Sequence, residues 1–178
     1  GYRCDVAGMV PRWFWARVRE RLLTLKPDHY LLAEWDDPEL HRVAFHSTYD
    51  WGLFRRMKAL ARRRFPAARL PHLMAAYHAG FPAGAEPLRF VENHDEGPST
   101  RRFGPLCAAL NVFVALSGGI WLIHNGQEVG ARHRPSLFER DPIDWRRPGA
   151  DAALRFQRGL ARLHQFFREV TERAHDQR

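Results

Sequence analysis

Phe90-Val91-Glu92-Asn93-His94-Asp95 is an apolar run that stops abruptly in an amide, an imidazole and a carboxylate. Strands of α/β barrels end this way where they deliver catalytic groups. Two other stretches repeat the pattern. Gly1-Tyr2-Arg3-Cys4-Asp5-Val6-Ala7 places an Arg and an Asp two residues apart, and Tyr30-Leu31-Leu32-Ala33-Glu34 runs apolar into a single Glu. Residues two apart in a strand share a face. Arg3 and Asp5 therefore sit together while Cys4 points away. A guanidinium beside a carboxylate keeps it ionised. A structural Arg–Asp pair would read the same way on local sequence alone. Glu34, between Ala33 and Trp35, should resist ionisation because desolvation disfavours its charged form.

Strand-like and helix-like segments alternate along the chain, the pattern of α/β folds. Strands are expected at Tyr2–Val6, Tyr30–Ala33, Val43–Phe45, Leu88–Val91 and Ile120–Ile123. The spacing of Phe14, Val18, Leu22 and Leu25 predicts a helix after Pro11. Further helices are expected at Trp51–Arg63, Pro71–Ala79, Arg101–Leu116 and Ala150–Arg173. Leu154, Leu160, Leu163, Phe166 and Phe167 are the apolar material of the last. Asp50 is expected to cap the helix that opens at Trp51. Leu106–Ile123 carries no charge, but Ser117-Gly118-Gly119 splits it. A helix followed by a strand fits better than a membrane span.

The three strand ends, in this order, resemble the α-amylase family of glycoside hydrolases (family 13). Gly1–Ala7 is similar to the family's strand-four motif, Ala33-Glu34 to that of strand five, and Asn93-His94-Asp95 to that of strand seven. Tyr49-Asp50-Trp51 and Asn125-Gly126-Gln127-Glu128 are family-like pieces after strands six and eight. The resemblance covers nearly all of the chain. It implies an α/β fold: a partial TIM (β/α)8 barrel, strands four to eight with their helices. On this reading residues 1–178 are the C-terminal part of a catalytic barrel whose N-terminal part is missing.

The same resemblance implies a retaining glycosidase acting on an α-glucan or maltooligosaccharide, with Asp5 as nucleophile, Glu34 as general acid/base and Asp95 as third carboxylate. Arg3, Asn93, His94 and Trp35 are implied as substrate-binding residues. Tyr49 and Trp51 lie where subsites form, Trp13 and Trp15 where a helix needs filling, and Glu92 and Glu96 are expected to face elsewhere. A glucan transglycosylase is the alternative within the family. A non-catalytic barrel relative acting by interaction is the alternative outside enzymes. Where the α-amylases have Lys-His soon after the nucleophile, this chain has Gly8-Met9. Where relatives often have Tyr before Asn-Gly-Gln-Glu, it has His124.

The net charge of +8 comes almost entirely from Arg, since Lys26 and Lys58 are the two lysines. The cluster Arg55-Arg56, Lys58 and Arg62-Arg63-Arg64 lacks interleaved aromatic residues for base stacking. A nucleic-acid partner and a membrane are therefore not expected. Cys4 and Cys107 have no metal-ligand spacing and are expected as buried thiols. No cofactor and no metal are expected, as no His pair has ligand spacing with a third ligand and no loop clusters oxygens for calcium. Unpaired edges of a half-barrel invite self-association. An isolated half-barrel is expected to be inactive, and a cytoplasmic location is slightly favoured.

Overall fold

The computed structural model describes residues 1–176 of the chain. They fall into two compact units, Gly1–Arg89 and the part from Phe90 onward.

In the first unit, β1 (Tyr2–Cys4), β2 (Leu31–Ala33) and β3 (Ser47–Thr48) form a parallel sheet in that order. Tyr2 pairs with Leu31, Cys4 and Thr48 both with Ala33. β4 (Leu88–Arg89) continues the parallel sense through a bridge from Leu88 to Tyr49. The crossovers are α1 (Arg12–Leu25), α2 (Pro38–Val43), and then α3 (Trp51–Ala61) with α4 (Leu70–His78). Parallel strands share a direction, so all their C-terminal ends open on one edge. That edge carries Asp5, Glu34 and Asp50.

Trp15 anchors α1. Its indole is buried, donates from Nε1 to the Ala7 carbonyl at 2.9 Å, and meets the Phe45 ring edge-on at 4.9 Å. Val18 and Leu22 pack on the same core as expected, whereas Phe14 and Leu25 are exposed. The apolar spacing found the helix but missed its deepest residue.

Two expectations need correction. Val43–Phe45 is not a strand. Asp37 accepts from the Glu39 amide at 2.9 Å and Pro38 occupies the first turn, so the chain enters a helix that runs to Val43. The strand comes later and is polar. Ser47 and Thr48 are wholly buried, with Ser47 Oγ donating to the Glu86 carbonyl at 2.5 Å and Thr48 Oγ1 hydrogen-bonded to His41 Nε2 at 2.9 Å. Satisfied hydroxyls cost little to bury, so this strand carries no apolar signature.

In the second unit, the helix expected over Arg101–Leu116 is broken into α5 (Ser99–Phe103), a 3-10 turn and α6 (Cys107–Leu116). Pro105 disfavours the helical conformation in the residue before it, and Gly104 takes φ 50° to make the break. Gly118 and Gly119, at φ 80° and 70°, then turn the chain into β5 (Ile120–Trp121). α7 (Ala150–Asp176) packs on α6 through buried Leu160 and through His164, whose Nδ1 lies 2.6 Å from the Ala115 carbonyl. Leu163, Phe166 and Phe167, further apolar material expected for this helix, are exposed. Cys4 and Cys107 are free thiols, partly rather than fully buried. Among the described residues, no helix is long and apolar enough to cross a membrane.

Candidate active site

Arg3 is the hub of the first unit's strand ends. One guanidinium nitrogen lies 2.8 Å from Asp5 Oδ1, and another pairs with Glu34. The buried Tyr49 hydrogen-bonds the same guanidinium, so Tyr49 is a framework group and not an open stacking surface. β1, β2 and the end of β3 thus each place one group on Arg3. The Asp5 side chain is open to solvent at 74% exposure, while that of Glu34 is 11% exposed.

Between Asp5 and the 3-10 turn Ala7–Met9, Val6 takes the left-handed conformation, φ 38° and ψ 44°. This is a strained backbone for a β-branched residue. It turns the Val6 amide toward Glu34 Oε2, at 3.3 Å. Burial raises the Glu34 pKa above the usual carboxylate value, and a hydrogen bond shared with Asp5 raises it further. The Val6 amide and the Arg3 charge pull the other way and do not prevail. Glu34 is the more desolvated of the two carboxyls.

Trp35 follows Glu34 and lies against Gly8. A Cβ built on Gly8 would fall 2.1 Å from the indole Nε1. Beside Trp35, the Asp36 carboxylate pairs with Arg55 at 2.8 Å and accepts from the Tyr77 hydroxyl. Trp35, Asp36, Trp51 and Arg55 line a hollow of about 340 Å³. The next residue, Asp37, is occupied as the α2 cap. Asp36 and Asp37, the two carboxylates that follow Trp35, thus both have structural partners.

Asp50 caps α3 as expected, accepting from the Leu53 amide at 2.8 Å. It is also 1% exposed and receives His78 Nε2 at 2.8 Å and Arg89 Nε at 3.2 Å. Burial alone would raise its pKa, but the hydrogen bond and charge of His78, the Leu53 amide and the Arg89 charge hold it below the usual value. His78 and Arg89 lie 28 and 39 residues away, beyond the reach of local pattern.

In the second unit, Asn93 organises the expected motif. Its buried Oδ1 accepts from the amides of Asp95 at 3.1 Å and Glu96 at 2.9 Å, which bends the chain and leaves the Asp95 carboxylate exposed. His94 Nε2 is 3.4 Å from Asp95 Oδ2. Glu92 is buried and accepts from the Ser99 amide at 2.5 Å, yet with His94, His124, Arg134 and Trp145 it lines a cleft of about 410 Å³. It thus borders the same cleft as His94 instead of facing elsewhere. Gln127 braces the loop at the cleft's edge, accepting from the His124 amide at 3.1 Å and donating to Asn111 Oδ1 at 2.8 Å.

No protein-family model matches the chain. It is 28% identical over 149 residues to the α-amylase MalA of Haloarcula japonica, an alignment covering 82% of this chain and 22% of that protein. With the intracellular maltogenic amylase of Bacillus subtilis it shares 29% identity over 156 residues, covering 80% and 25%. Its fold superposes on the crystal structure of an α-amylase from Lactobacillus plantarum with a TM-score of 0.81 and 32% identity, over 93% of this chain and 43% of that one. Over most of its length the chain is similar to α-amylases and maltogenic amylases. It spans about a quarter of the length of the curated relatives it matches. Arg3, Asp5 and Glu34 come together in the first unit, with Trp35 next to them. Asn93, His94 and Asp95 form one turn of the second. Sequence reasoning missed Gly8 and Tyr49 as the groups that seat Trp35 and Arg3. A glycine beside a strand-end motif was the one available signal.

Proposed function

We propose that this chain carries catalytic groups of a retaining α-glucan hydrolase, and that its strands correspond to strands four to eight of the family's barrel. The observation that supports this best is the Arg3–Asp5–Glu34 cluster, in which one guanidinium holds an open carboxylate beside a desolvated carboxyl whose pKa is raised. Two carboxyls held on one guanidinium suit the short separation of retaining enzymes, about 5–5.5 Å, better than the ~6.5–9.5 Å of inverting ones.

In the first step an Asp5 oxygen attacks the anomeric carbon of a maltooligosaccharide. The glycosidic C–O bond breaks, and Glu34 gives its proton to the departing oxygen. The product is a glycosyl ester on Asp5. In the second step the Glu34 carboxylate takes a proton from water, the water oxygen bonds to the anomeric carbon, and Asp5 leaves. Arg3 holds the Asp5 carboxylate in place. Asp95 is proposed to hold sugar hydroxyls as the ring flattens, with His94 beside it. These two roles rest on their place in the motif.

Glu34→Ala should slow substrates with poor leaving groups by roughly 10²–10⁴ while sparing those with activated aryl leaving groups. Azide should restore the second step, yielding a glycosyl azide. Equal losses on both substrates without rescue would remove Glu34 from this role. The acid form is the active one for bond cleavage. Activity should therefore fall as pH rises through the elevated Glu34 value, and pH–rate profiles should show an alkaline limb above the ordinary carboxylate range. Arg3→Met removes a charge that lowers Glu34, so its alkaline limb should move to higher pH.

A further inference from the structure

Gly8 has no left-handed backbone that would call for glycine. What it lacks is a side chain, and the Trp35 indole fills that space. Added at Gly8, a Cβ would stand 2.1–2.4 Å from three atoms of the ring, closer than any packed carbon sits. Trp35 nevertheless stays 37% exposed. One side of the ring is therefore pressed on the backbone that follows Asp5, and another borders the hollow it shares with Trp51. The hollow's volume of about 340 Å³ is at the small end of ligand-sized cavities. Its wall is mainly two indoles, and its polar edge is the Asp36–Arg55 pair, whose Arg55 side chain is largely open. Aromatic faces with a few fixed hydrogen-bonding groups are the chemistry that recognises a sugar ring, apolar on its faces and hydroxylated on its rim.

We propose that Gly8 determines specificity by seating the Trp35 indole as the stacking wall of a sugar subsite, the hollow between Trp35 and Trp51 beside Glu34. The inference rests on the glycosidase reading above and deepens it. Gly8 acts through Trp35 and is a positioning residue. A side chain there would push the indole out over the hollow and close it.

The test is maltotriose titration of the protein carrying this chain, by calorimetry and tryptophan fluorescence, with turnover measured in parallel. Trp35→Ala and Gly8→Ala are each expected to weaken maltotriose binding roughly tenfold or more. KM should rise and kcat should stay within about twofold, the mark of lost binding. The double variant should be no worse than Trp35→Ala alone, since both changes remove one interaction. Should Gly8→Ala fold too poorly to titrate, the double variant should recover the melting temperature of Trp35→Ala. Failure to recover it would overturn the inference. So would wild-type affinity in Gly8→Ala, losses that simply add, or no maltotriose binding by the wild type. The two readings separate cleanly. Coupled binding losses without any turnover would sink the hydrolase and leave the subsite. Turnover with label on Asp5 but indifferent to Gly8 would do the reverse.

Discussion

In the protein carrying this chain, Asp5→Asn is expected to reduce maltooligosaccharide turnover by roughly four to six orders of magnitude, as the loss of a group from a catalytic unit does in other hydrolases. The amide is nearly isosteric but is not a nucleophile, so substrate binding should persist. Asp5 is chosen because it combines an open carboxylate, contact with Arg3 and a place beside Glu34, whose pKa is raised by burial. A mechanism-based fluorosugar should leave a glycosyl label on the peptide containing Asp5. A label on Glu34 or Asp95, or an Asp5→Asn protein that turns over within a hundredfold of wild type, would refute the assignment.

The largest stability effect is expected at Asp50. Asp50→Ala leaves the Arg89 guanidinium buried without its carboxylate, and strips the α3 cap and the His78 bond at once. Breaking a buried ion pair from one side costs about 3–5 kcal/mol, to which a lost cap adds about 1 kcal/mol. Asn at this position keeps a capping oxygen and should lose less. The pH dependence has a definite sign. Asp50 ionises more readily folded than unfolded, so its contribution is complete above the ordinary carboxylate value. It is lost as pH falls through the lowered folded value. Urea titrations across that acid range should show wild type losing stability there and Asp50→Ala changing less. An Asp50→Ala protein that unfolds at the wild-type urea midpoint would show that the cluster contributes nothing.

The strand ends at Asp5 and Glu34, and the turn that presents Asp95, were legible because a run that halts at a carboxylate is a local signal. The alternation of strands and helices was legible for the same reason, as was the Asp50 cap. β3 was hidden because Ser47 and Thr48 are buried by means of hydrogen bonds to Glu86 and His41, which no hydrophobic pattern announces. The break at Gly104 lay in plain view as Gly-Pro inside an apolar stretch, yet the apolar period spoke louder. The packing of Trp35 on Gly8, and of Tyr49 on Arg3, depends on strand pairing that brings distant residues together. Only the register of β1, β2 and β3 reveals it.

Val6 bears on how such a protein can be improved. A valine in a left-handed turn costs on the order of 1–3 kcal/mol, and the turn spends it aiming an amide at Glu34. Selection for heat tolerance alone would find this position early, because residues that adopt the turn willingly relieve the cost. Glycine or asparagine at Val6 would then raise the melting temperature. The same freedom would loosen the grip on Glu34, so thermostable descendants of this chain should pay in turnover for what they gain in lifetime.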